Sequence, residues 1–454
     1  MKTEKKLVEY LLDSKYEDFP QKPIDVVKTV LLANAGSAIA GATNDGVLKL
    51  VNVVKECSGK QEATILLHGG KVPACHAALV NGTMCRCMDF EDAMLPGIHI
   101  GPIAVPAALA AAELVGGCGG KEFFTSLALG IEVASRINRM NYNSDYNGAD
   151  PTGIGAIYSG TAAAARILKL NPDQALNALA IAFNRAGGSL QSNIDGAQTV
   201  GFIAGSAAES AIISCQLAQT GMTGPKNFLE GPYGFFHLHA RDKFDANLVT
   251  GELGKRFELT NMIFKKFPSC GLTQACTQAT LELMNEAGLT LENLASIHVR
   301  VQPYTYNVVG KPFEIGETPR INAQFSIQYC IANMLLRKSS KPIHFEEENV
   351  REPKIMEIVK KIKVTSDPEL NKLDQRGMEL EAKTKQGGVY HKSIFNPPGS
   401  PGNELSKEEH LARFQDCVGF GKSLPKGNPE KIISMVDKIE TAKDIRGFIS
   451  LLQS

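Results

Sequence analysis

The chain has 454 residues, enough to bury a large core and to hold more than one domain. Its 48 lysines and arginines balance 48 aspartates and glutamates, which removes any electrostatic case for nucleic acid or an anionic membrane as partner. Aromatic residues make up only 7% and tryptophan is absent, a composition suited to closely packed helices. The start, Met1-Lys-Thr-Glu-Lys-Lys into Leu7-Val-Glu-Tyr-Leu-Leu, is too short and too interrupted for a signal peptide. The ten cysteines are scattered, Cys85 and Cys87 form Cys-x-Cys rather than Cys-x-x-Cys, and His-Glu-x-x-His does not occur. The expectation is a soluble, cytoplasmic protein with no disulfides, no metal and no other cofactor.

In chain order, apolar residues at helical spacing predict a helix from Pro23 and another from Thr43. Ala63 to Leu67 reads as a strand or extended connector. Pro73 opens a small-residue helix reaching Met84, and Ile103 to Val115 reads as a second, deeply buried one. The longest apolar run, Ile98 to Val115, is broken by Pro102, Pro106 and Glu113, as in a core helix rather than a membrane span. Further helices are predicted over 121–142, 159–168, 172–185 and 201–219. The asparagine-, glycine- and proline-rich stretch 141–153 reads as a loop, and so does the bulky 231–239. There His237 and His239 alternate, an arrangement that would face opposite ways in a strand, so a shared metal is not expected. The first 260 residues thus read as one helical domain.

Composition changes after Lys265. One helix is predicted over Gln274 to Ala287, an alternating strand from Ala295, a helix over Asn322 to Arg337, and a hairpin turning at Gly387-Gly388. Residues 266–404 read as a smaller α+β domain. Gly399-Ser-Pro-Gly is its exit loop, and Ser406-Lys-Glu-Glu is a capping box opening a terminal helical tail.

Chemistry concentrates in Cys85 to Pro102. Asp89, Glu91 and Asp92 and then His99 sit between two apolar helices, on a loop held by a rigid scaffold. This loop, Met88-Asp-Phe-Glu-Asp, is followed by His99-Ile-Gly-Pro-Ile-Ala-Val-Pro and Pro151-Thr-Gly-Ile-Gly. Beyond them come Gly224-Pro-Lys-Asn-Phe-Leu-Glu-Gly-Pro, Lys265-Lys-Phe-Pro and Gly399-Ser-Pro-Gly-Asn-Glu-Leu-Ser. In content and order these stretches resemble the MmgE/PrpD family of 2-methylcitrate dehydratases, cis-aconitate decarboxylases and iminodisuccinate epimerases. The resemblance spans nearly the whole chain. It implies a mainly α fold: a large all-helical domain from both chain ends (1–264 and 405–454) and an inserted α+β lid domain (265–404). It also implies a homodimer, no metal, and a small carboxylate as substrate.

Carried across residue by residue, the resemblance implies catalytic roles for Asp89, His99, Lys265 and Tyr306, and a substrate-binding role for Asp92. Four positions depart from the family pattern. Ala93 replaces a frequent threonine, Asp150 a usual histidine, Val200 a usual lysine, and Cys270 a second lid histidine of decarboxylase-like members. Asp150 and Cys270 are retained as substrate-binding positions. The changes remove up to two positive charges and add one negative, so the site should bind a polyanion less well. A substrate with fewer carboxylates, or one with an amine that Asp150 could pair, is expected.

The family's reactions share a proton transfer at a carbon next to a carboxylate. That needs a base titrating near working pH, for which His99 is the best-suited side chain. Asp89 could orient its ring, Lys265 neutralise a carboxylate, and Tyr306 donate to a leaving group. Each position also has a structural alternative. Asp89 and Asp92 could simply close a helix loop, and Lys265 could be a surface lysine like Lys266. Tyr306 could be lid packing, Asp150 a turn residue before proline, and Cys270 a small buried side chain. The expected activity is a cofactor-independent hydro-lyase, like 2-methylcitrate dehydratase, acting on a small hydroxycarboxylate. The alternatives are an epimerase of an amino- or imino-dicarboxylate, a decarboxylase, and a non-catalytic metabolite-binding or scaffold member.

Overall fold

A computed structural model describes residues 2–57, 59–139, 148–240, 242, 244–372 and 374–453. The fold is mainly α. One hydrophobic core draws on residues 7–264 and again on 405–452, and a second is built from residues 272–382.

The first core is a stack of alanine- and glycine-rich helices, among them Gln21–Gly41, Ala74–Arg86, Gly101–Leu114, Ile157–Ile167 and Thr199–Gln219. Small residues are needed where their backbones touch. A Cβ on Gly205 would lie 2.2 Å from the Leu79 carbonyl, and one on Gly82 would lie 2.9 Å from the Gly205 Cα. Gln21–Gly41 and Thr199–Gln219 are long and apolar enough to cross a membrane, but 67% and 61% of their apolar windows are buried inside the protein. Here they serve as core helices.

The second core lies on a four-stranded sheet, in the order Ile362–Ser366, Leu294–Val301, Met378–Thr384, Val389–Ile394. The first pair is parallel, with Val299 opposite Val364; the others are antiparallel, with Val299 opposite Leu380 and Met378 opposite Ile394. Met378, Leu380 and Ala382 point every second side chain into this core, the period expected of a strand buried on one face. Helices Gln274–Ala287 and Ile327–Arg337 pack further residues into it.

Several sequence expectations are corrected. The helix expected over Asn322 to Arg337 is broken into Pro319–Gln324 and Ile327–Arg337, because the Ser326 hydroxyl accepts from the Tyr329 N–H (3.2 Å) and starts a new helix. The loop expected around His237 and His239 contains the helix Phe235–Ala240, and His237 lies 2.9 Å from Asp242. Within the loop expected over 141–153, Pro151–Gly155 is helical, and 141–147 lie outside the described residues. The capping box at Ser406 forms with Glu409 as read.

The two crossings between the cores lie side by side. Strand Asp92–Ala93 pairs antiparallel with Ile263–Phe264, just before Lys265. The Phe264 N–H in turn donates to the carbonyl of Gly399 (2.9 Å) on the returning chain. Gly399 has φ +85°, and a Cβ there would sit 1.8 Å from the Phe264 carbonyl oxygen. Gly399→Ala should therefore destabilise the protein by at least ~2 kcal/mol in chemical denaturation. A change below about 0.5 kcal/mol would show that the crossing tolerates a side chain.

Candidate active site

The loop after helix Ala74–Arg86 carries the acids, and three parts of the chain fix its backbone. The Met88 carbonyl accepts from Gln324 (2.6 Å), the Asp89 carbonyl from Lys265 (3.1 Å), and the Phe90 carbonyl from Arg413 (2.6 Å). Arg413 also lies over the Phe90 ring, 4.8 Å from its centroid. Asp89 takes φ +51°, a left-handed conformation that aspartate tolerates better than most side chains.

The loop delivers its carboxylates to two cations. Asp89 Oδ1 accepts from Lys265 Nζ at 2.7 Å and from Arg86 at 2.5 Å. Glu91 Oε1 lies 3.4 Å from the same guanidinium and 3.7 Å from the same ammonium. All four side chains are buried. Lys265 is thus the inward member of its pair: Lys266 points to the surface and pairs with Glu409 at 3.0 Å.

His99 completes the cluster. Its Nδ1 lies 2.9 Å from the Asp92 carbonyl and 2.7 Å from Glu91 Oε1. Both are acceptors, so Nδ1 holds the proton and Nε2 is left as the basic nitrogen. The His99 N–H donates to Thr152 Oγ1 (3.2 Å), which seats the residue from the other side. Asp92 does not face substrate space. Its carboxylate accepts from the Gly101 N–H (2.9 Å) and the Asn34 amide (2.7 Å), tying the loop to the start of helix Gly101–Leu114.

A cavity opens on this cluster, lined by Arg86, Asp89, Ala93, His99, Asp150 and Lys265 on one side and by Cys270, Tyr304, Val308, Phe325, Gln375 and Arg376 on the other. Asp150 and Cys270 both line this cavity. Asp150 also caps helix Pro151–Gly155, accepting from the Thr152 N–H at 2.8 Å. Tyr306 is elsewhere: it packs against the second core, and Tyr304, two residues earlier, reaches the cavity. Val200 lies in a neighbouring cleft that meets Arg86 and Asp89 from behind.

Arg86, Tyr304 and Arg376 are not singled out by the sequence, and Glu91, named there in the acidic loop, is given no role. Arg86 left a signal, an arginine closing a helix of small residues with acids three and five positions on. Tyr304 left none that separates it from Tyr306, two residues on, where a short helical turn passes into a π-helical one.

Asp89, Glu91 and His99 also bring ligand atoms within 4.8 Å of one another, a donor set that suits a divalent cation. The Lys265 ammonium and Arg86 guanidinium contact the same two carboxylates. Burial pushes the Asp89 carboxyl up, but Lys265 and Arg86 outweigh it and hold the group well below the usual carboxylate range. Glu91 is lowered by the same cations against the same burial, whereas burial dominates at Asp92 and raises it. Burial pushes the Cys270 thiol and the Tyr304 phenol each to about 12, so both stay protonated at neutral pH. A protonated Cys270 is a poor nucleophile and a small cavity wall.

A lowered folded-state pKa stabilises the protein fully above the unfolded-state value, about 3.9 for aspartate, and that stability is lost as pH falls through the lowered value. Asp89→Asn removes this contribution. Urea titrations between about pH 6 and pH 3 should then show a shallower acid loss of stability than in the wild type. Equal slopes would mean that Asp89 is not held by the two cations.

Comparison with known proteins places the chain among enzymes. The model of the MmgE/PrpD N-terminal domain matches residues 5–247, and that of the MmgE/PrpD C-terminal domain matches residues 267–441. Cis-aconitate decarboxylase of Mus musculus is 25% identical over 443 residues, covering 94% of this chain and 88% of its own. The Homo sapiens protein of that name is 25% identical over 399 residues (84% and 80%), and an Aspergillus terreus one is 23% identical over 466 residues (96% and 93%). With both domain models matched over most of its length, the chain belongs to the MmgE/PrpD family.

Proposed function

We propose that the protein is a lyase that removes water from a small hydroxycarboxylate, with His99 as the proton carrier. The observation that carries this reading is the fixed ring: the Asp92 carbonyl accepts from Nδ1–H with the Glu91 carboxylate 2.7 Å away, and Nε2 is left as the base of a residue lining the cavity. His99 Nε2 takes the proton from the carbon next to the carboxylate. The electron pair forms the alkene as the C–O bond breaks, and the departing hydroxide takes a proton from Tyr304 to leave as water. The raised Tyr304 pKa supports a neutral donor for this step. Charge building on the substrate carboxylate faces Arg86 and Lys265. The side-chain oxygen of Asn193, at the same wall, is buried without a hydrogen-bond partner among the described residues and suits a substrate hydroxyl proton. In this reading the segment around the second core, which supplies Tyr304 and Cys270, acts as the lid.

Decarboxylation, the activity in the relatives' names, is the second reading. There the C–C bond to a carboxylate breaks, its electron pair stays on carbon, and His99 as imidazolium returns the proton.

NMR of a panel of hydroxy-, unsaturated and amino-carboxylates in deuterium oxide separates these outcomes. An alkene with loss of water supports the hydro-lyase, loss of carbon dioxide supports the decarboxylase, and exchange with no net conversion supports an epimerase. His99→Ala should lower turnover at least ~100-fold with the fold intact. Tyr304→Phe should cost ~10-fold or more, while Tyr306→Phe should stay within about two-fold. Near-normal turnover in His99→Ala would sink the assignment.

A further inference from the structure

We propose that this cavity selects a substrate with a single carboxylate and a small aliphatic body, anchored by Arg86, over di- and tricarboxylates. The inference rests on the reading of the cavity as the reaction site and specifies what enters it.

The charges of the cavity carry the argument. Three cations line it, Arg86, Lys265 and Arg376. Against them stand four carboxylates, Asp89 and Asp150 in the wall and Glu91 and Asp374 directly behind. Lys265 spends its ammonium on the Asp89 carbonyl and carboxylate and lies 3.7 Å from Glu91. Arg376 is spent too, on both oxygens of Asp374 and on Ser400. Arg86 differs. Its Nη1 donates to Asp89 and lies 3.4 Å from Glu91, and Nε and the second terminal nitrogen of the fork, on a side chain that lines both this cavity and the neighbouring cleft, make no hydrogen bond among the described residues. A guanidinium with two donors to spare matches one carboxylate.

A second or third carboxylate would meet no uncommitted cation. It would be desolvated beside Asp150, whose charge is of the same sign. Much of the remaining wall is apolar, formed by Met94, Leu95, Leu190, Leu272, Val308 and Phe325, with Asn193 and Gln375 among them. Such a surface gains from an aliphatic group and repels a charged one.

Unreactive saturated acids test this by calorimetry, independently of turnover: isovalerate for the aliphatic monoacid, succinate for the diacid, tricarballylate for the triacid. Isovalerate should bind at least about ten-fold more tightly than either of the others. Arg86→Gln should weaken isovalerate about ten-fold or more, with thermal melting checking that the variant folds. Asp150→Asn, which keeps an amide oxygen for the Thr152 cap, should narrow the preference over tricarballylate at least about three-fold. It keeps the test decisive if Arg86→Gln does not fold. Succinate or tricarballylate binding as tightly as isovalerate would overturn the proposal. So would undetectable isovalerate binding, an unchanged preference in Asp150→Asn, or unchanged isovalerate affinity in a folded Arg86→Gln. Because these acids cannot react, failure here leaves the deuterium experiment standing, and failure there leaves the selectivity result standing.

Discussion

The structure depends on one buried set of charges. Asp89 and Glu91 are carboxylates removed from water, a state that is costly unless each meets a cation at short range. Arg86 and Lys265 supply those cations from the end of a core helix and from the crossing between the two cores. Neither cation alone would balance both acids. Helix end, acidic loop and crossing are therefore held together by the same pairings. Gln324, from the second core's side, and Arg413, from helix Lys407–Phe420, add hydrogen bonds to the Met88 and Phe90 carbonyls of that loop.

The chemistry follows from how this cluster treats its neighbour. Glu91 has neither carboxylate oxygen in a well-formed hydrogen bond, yet it lies 2.7 Å from His99 Nδ1. A carboxylate held anionic by two cations, next to an imidazole also facing a backbone carbonyl, fixes the ring's tautomer and direction. That is the preorganisation a proton-transferring residue needs. The same cations that keep Asp89 and Glu91 ionised are largely consumed in doing so. The cavity is left with little positive charge to spend on a substrate, and this is the physical basis of the preference for few carboxylates that we propose.

Much of the fold was legible in sequence because local signals are strong where they are short-range. Helix Gln274–Ala287, the hairpin between Met378 and Ile394, and the Ser406–Glu409 capping box form where spacing and turn residues put them. Ser326 shows where such reading fails. Apolar spacing runs across it, and only the hydroxyl bond to the Tyr329 N–H ends one helix and begins another. Phe235–Ala240 was read as a loop because its bulky residues carry no helical period, and tertiary packing of Phe235 and Phe236 decides the conformation.

By itself the sequence determined the helical architecture and the family, and it named Asp89, His99, Asp150, Lys265 and Cys270, which the fold brings to the lining of one cavity. These sit in motifs whose residue types and order survive without coordinates. Only tertiary structure decided the rest: that Lys265 and not Lys266 turns inward, that Tyr304 and not Tyr306 faces the cavity, that Asp92 braces the loop, and that Arg86 belongs to the site. Adjacent residues of like chemistry are indistinguishable in a one-dimensional pattern. Which of two such lysines turns inward depends on charges and backbone contacts brought in from more than a hundred residues away, as Lys265 is brought to Asp89.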